Sequence, residues 1–157
     1  MRKIMLPIGM LALVFLAACA PLFGPQPTPT AAIAKLPALE GNWQLELSQS
    51  GGIMGMSRWL VVSSDGRVTA EDDRTQASAT DTLTPEAMAL LKRLAAEATY
   101  PTILPASACA DCFYFRLEIS GVSHPMDVQL DEITLLDSGL YPLVGLLHDE
   151  MVRLLGN

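Results

Sequence analysis

How much of the chain can join a folded core depends first on Ile4–Ala17, an apolar stretch free of charge near the start of the 157 residues. It follows a short positive start, Met1-Arg2-Lys3, and it closes on the small residues Ala17 and Ala18. A permanent membrane-spanning helix needs about 20 apolar residues, and this stretch is shorter. Its length and its positive flank fit the hydrophobic region of a secretory signal. Pro21, Pro25, Pro27 and Pro29 come directly afterwards, and proline cannot sit inside a continuing helix. The segment is therefore expected to be removed rather than folded, so residues 1–18 contribute nothing to the core.

Leu16-Ala17-Ala18-Cys19 resembles the lipobox of bacterial lipoproteins at all four positions. The resemblance implies cleavage before Cys19 and diacylglycerol on its thiol. Added acyl chains such as palmitate would then complete the anchor. One chain holds weakly and several hold firmly, at about 0.8 kcal/mol per buried CH₂. The expected location is extracytoplasmic, with the lipid on Cys19 holding the protein to a bacterial membrane. Cleavage leaves 139 of the 157 residues and removes two of the ten basic ones, so the mature charge is −9 against 17 acids. Such a chain has no electrostatic basis for binding nucleic acid, because that affinity comes largely from Lys and Arg at phosphates.

Residues 19–38 carry the lipid site and then a run rich in Pro, Thr and Ala. The run lacks apolar periodicity and reads as a tether. If extended like polyproline it would reach about 60 Å. The remainder, 39–157, is large enough for one core and too small for two ordinary domains. With Cys19 lipidated, Cys109 and Cys112 remain in a compartment where disulfides persist. A bridge between them would fix the backbone just before the strand that starts at Phe113. A thioredoxin-type motif would instead open a helix. A zinc site needs two further ligands at suitable spacing, and His124 and His148 stand alone in the sequence. No metal and no cofactor is expected.

Within 39–157, Trp43–Leu47 alternates with period two, and Arg58–Ser63 is apolar on both faces, as an interior strand requires. Between them lies the glycine-rich turn Ser50–Met56. Asp65-Gly66 signals a hairpin, with Arg67–Glu71 returning as a short strand. Glu71–Thr82 is polar and reads as a solvated loop, in which Glu71-Asp72-Asp73 lacks the spacing of a calcium loop. Thr84-Pro85-Glu86 starts a helix, and Met88, Leu91, Leu94 or Ala95, and Ala98 form its apolar stripe up to Pro101. Phe113–Ile119 and Met126–Leu130 alternate on either side of Ser120-Gly121, which makes a hairpin. Pro125 cannot donate to a ladder, so the second strand lies at an edge or starts there. Tyr141–Leu155 carries Val144, Leu147, Met151 and Leu154 at helical spacing, with His148 on its outer side. The fold expected is α+β: an antiparallel sheet of four or five strands with two helices on one face.

Catalytic signatures are missing: there is no H-E-x-x-H pair, no G-x-S-x-G, and no phosphate-cradling loop. The chain reads as a binding protein rather than an enzyme.

The Ser50-Gly51-Gly52-Ile53-Met54-Gly55 segment after a first strand, the Leu83-Thr84-Pro85-Glu86 helix start, and Leu104-Pro105 beyond that helix form an ordered set. The aromatic strand Phe113–Leu117, a hairpin and a last helix complete it. Together they resemble emfourin, the small protein inhibitor of protealysin and other thermolysin-like metallopeptidases. The likeness spans Leu45 to Leu155 and rests on order and spacing, not on any single motif. The signal, the tether and the C-x-x-C depart from that family. The resemblance implies a partner, a thermolysin-like metallopeptidase, and an inhibitory segment at Gly52, Ile53, Met54, Gly55 and Met56. Ile53 or Met54 would occupy the pocket that takes large aliphatic side chains. The competing expectation is that Ile53 and Met56 close the end of the core. A surface-tethered binding or assembly domain is the alternative function.

Overall fold

The computed structural model describes residues 32–103, 107 and 109–156. The signal, Cys19 and the tether through residue 31 lie outside the described residues, as does the Leu104-Pro105 pair. The fold is α+β, built on a six-stranded antiparallel sheet. Its strands are β2 (Gln44–Gly51), β3 (Met56–Ser63), β4 (Arg67–Asp72), β5 (Ala77–Thr82), β7 (Phe113–Ser120) and β8 (Met126–Asp131), in the order β5-β4-β3-β2-β7-β8. A separate two-stranded sheet pairs β1 (Ile33–Lys35) with β6 (Thr99–Pro101). The helices are α1 (Pro85–Glu97), α2 (Glu132–Leu136) and α3 (Tyr141–Leu155).

Alternation decides which side of the sheet is buried. Leu45, Leu47, Leu60, Val62, Val68, Ala70 and Ile119 are fully buried, and each sits at a period-two position of its strand. Burying a leucine in this way contributes about 1.5–3 kcal/mol. The helices α1 and α3 cover that side through Leu91 and Ala95, and through Leu143, Val144, Leu147 and Met151. As expected, Thr84 caps α1, accepting the Ala87 N–H at 3.2 Å. Gly156, with φ of 71°, ends α3. The opposite strand positions hold polar groups such as Arg116, which grips Asp127 through two hydrogen bonds of 2.6 and 2.7 Å.

Three expectations change. The sheet has six strands, not four or five, because Ala77–Thr82 is a strand and not a solvated loop. As an edge strand it pairs with β4 through its backbone and needs no apolar alternation of its own. A third helix, α2, is only five residues long, too short to show a period, and it is capped by the Asp131 carboxylate at the end of β8. The folded unit also starts before Leu39: Ile33–Lys35 pairs with Thr99–Pro101, and Leu36 is buried. The last residues read as tether therefore pack on the domain.

Candidate functional site

The hairpin joining β2 to β3 turns through Gly52–Gly55, closed by the Gly55 N–H donating to the Gly52 carbonyl at 2.9 Å. Gly51, Gly52 and Gly55 have φ of 96°, 69° and 60°, a left-handed region where side chains are strained. Space is as limiting as φ. A Cβ on Gly51 would stand 2.6 Å from the Cys112 carbonyl oxygen, and one on Gly52 would stand 2.5 Å from the Phe113 ring. The Gly52 N–H donates to that same Cys112 carbonyl at 3.2 Å. The base of the turn is thus clamped onto the start of β7.

What the clamped turn presents is apolar. Ile53 is 90% exposed and Met54 71%. Ile53 therefore does not close the core, contrary to the competing expectation; Met56, at the foot of β3, is half-buried.

The surface holding the clamp is itself fastened. Cys109 and Cys112 form a disulfide, with Cα atoms 5.5 Å apart. Cys112 is buried and Cys109 half-buried. The Tyr114 hydroxyl donates to the Cys109 carbonyl at 3.1 Å, and the Cys109 N–H donates to Ser107 Oγ at 3.4 Å. Asp131 accepts the Thr134 N–H at 2.7 Å. That bond, followed by the Ser107 hydroxyl, holds the Asp131 carboxyl below its usual range against the opposing effect of burial. The neighbouring Glu132 places a carboxylate oxygen within 4.8 Å of both cysteine sulfurs. Sequence spacing concealed this third group, because it lies twenty residues past Cys112 on another element.

Beyond the hairpin base, Arg58 Nε donates to the buried Asp72 at 2.9 Å. Asp72 also accepts the Arg74 and Thr75 N–H groups, at 2.9 and 3.1 Å. The Thr75 bond is the main reason its pKa lies below the usual range, aided by Arg58 and Arg74 and opposed by burial. Asp72 is thus a structural acid inside the core's end and not part of a solvated charge run. His148, expected on the outer side of α3, instead packs edge-on against Phe115 with ring centroids 6.0 Å apart. Position 148 shares the sheet-facing side of α3 with Val144 and Met151. His124 is exposed in the turn before β8.

A second apolar surface was not foreseen. Ile33, Ile133 and Leu136 are exposed at 76%, 58% and 61%. Ile33 and Ile133, with Tyr100 and Pro101, line an open groove of about 490 Å³. No single segment encodes it, since β1, β6 and α2 each supply a part. No helix among the described residues is long and apolar enough to cross a membrane. No protein-family model matches the chain, and no curated protein matches it significantly.

Proposed function

We propose that the protein is a lipid-anchored, extracytoplasmic inhibitor of thermolysin-like metallopeptidases, which enters the active-site cleft with the Gly52–Met56 loop. The observation that carries this reading is the pairing of an exposed Ile53-Met54 tip with a base that cannot swing. A loop fixed before binding avoids much of the ordering cost of association, and an aliphatic tip suits a pocket for large apolar side chains. The likeness to emfourin supplies the class of target, and the Leu16–Cys19 motif supplies the anchor. Separation of a mixture of thermolysin and the chain from Ala20 onward tests the proposal. A one-to-one complex is expected with the native loop, and none with Ile53→Ala/Met54→Ala. A complex that survives the double substitution removes the loop from the account.

The second reading is a tethered binding or assembly domain without inhibitory activity. The groove beside Ile33 and Ile133 favours it, because exposed apolar patches mark interaction sites. Binding through that groove would be lost in Ile133→Asp and untouched by changes at Ile53 and Met54.

A further inference from the structure

We propose that Cys109, Cys112 and Glu132 form a redox-gated site for a zinc-class divalent cation, closed while the disulfide stands and opened by its reduction. Side-chain donor atoms of all three residues lie within 4.8 Å of one another. Two thiolates and a carboxylate are a donor set that zinc accepts, with a fourth position left for water or a partner's side chain.

Two features make these residues a site and not only a bridge. The loop is held by bonds that do not involve sulfur: Tyr114 to the Cys109 carbonyl, Cys109 N–H to Ser107, and Gly52 N–H to the Cys112 carbonyl. When the S–S bond opens, the backbone of both cysteines is therefore still held next to Glu132, with each sulfur one rotatable side chain away from it. The second feature is charge. Among the described residues, Glu132 makes no ion pair. Two thiolates formed next to it would be three anions without a cation, and a divalent ion relieves that repulsion.

Opening needs a dithiol or phosphine reductant. With a dithiol, two electrons and two protons pass to the protein disulfide, giving two thiols while the reductant closes its own disulfide. Binding of the cation then releases the thiol protons to water. Exchange with a small-molecule disulfide closes the site again: the two thiolates give up two electrons to form the protein S–S bond, the oxidant leaves as its dithiol with two protons taken from water, and the ion is released because the thiolate charges that held it are gone. The carbonyl that clamps Gly52 belongs to one of these ligands, so the state of the site is felt at the base of the exposed turn. The metal site itself does not depend on the inhibitory reading.

The test uses the full chain carrying Cys19→Ser, in detergent, so that Cys109 and Cys112 are its only thiols. The chain is reduced with a phosphine, freed of it, and titrated with Co²⁺ and then Zn²⁺. Expected are one Co²⁺ per chain with thiolate-to-metal charge-transfer absorption, displacement by Zn²⁺, and no binding to the oxidised chain. Glu132→Gln, on the surface of a short helix, should weaken binding by tenfold or more, about the lower end for disturbing even a supporting group. Far-ultraviolet circular dichroism of the reduced chain without metal checks that the sheet persists. Absence of the thiolate band, equal affinity in Glu132→Gln, or loss of the fold on reduction would each overturn the proposal.

Discussion

Two turns at the same end of the sheet solve the same problem with opposite chemistry. Between β4 and β5 the chain turns on polar groups: Asp72 accepts two backbone N–H groups, the Gln76 side chain donates to the Asp73 carbonyl, and Ser57 donates to Asp73. The polar groups of Asp72, Asp73 and Gln76 in that turn are spent on holding the turn itself. Between β2 and β3 the chain turns on glycines, and the two side chains at its tip, Ile53 and Met54, face water. Exposed apolar side chains that contribute nothing to the core are available to a partner. The difference separates a turn that stabilises the protein from one that presents something.

Four changes break or sharpen that contrast. Gly52→Ala should have the largest effect, because it combines a left-handed φ with a collision against Phe113; urea unfolding should show a loss of about 1–3 kcal/mol. Binding through the loop should fall with it. Asp72→Asn comes next: the melting temperature at neutral pH should drop, since Arg58 loses its buried carboxylate partner. Acid titration sharpens the same point. Asp72 and Asp131 have folded-state pKa values below their unfolded ones. Their stabilisation is therefore complete above the unfolded value of about 3.9 and is lost as pH falls through the lower folded values. Melting temperature should hold from neutral pH to about 5 and decline below about 4, and Asp72→Asn should flatten that decline. The smallest effect on stability belongs to Ile53→Ala and Met54→Ala, each within about 0.5 kcal/mol. A larger loss in either would mean that the tip serves the fold after all.

The elements with strong periodicity were legible from the sequence. The α3 bounds, Tyr141–Leu155, match the expected segment, and α1 starts at its Thr84 cap. β8 lies at an edge and starts directly after Pro125, in line with that proline's missing donor. What escaped was structure that no apolar alternation of its own announces. The polar segment 77–82 becomes a strand only because β4 offers it a backbone ladder. Ile33–Lys35 is held by residues 99–101, and no local pattern announces that pairing. The same limit applies to the site. Glycines at 51, 52 and 55 marked the turn, whereas the clamp on Cys112 and the approach of Glu132 exist only in three dimensions. Gln49 shows the converse. It continues the inward phase of Leu45 and Leu47 in β2, yet its Oε1 is buried with no hydrogen-bond partner among the described residues, beside Arg58 on β3. Leucine there should therefore gain about 1 kcal/mol or more.

The central claim is that an anchored domain blocks a peptidase with a preformed apolar loop, and one titration addresses it directly. The chain from Ala20 onward, oxidised, is added in steps to thermolysin cleaving a quenched peptide. The account predicts a linear loss of activity that ends at one domain per enzyme, with the domain recovered uncut. Full peptidase activity in the presence of excess folded domain, or steady cleavage between Gly52 and Met56, would contradict it.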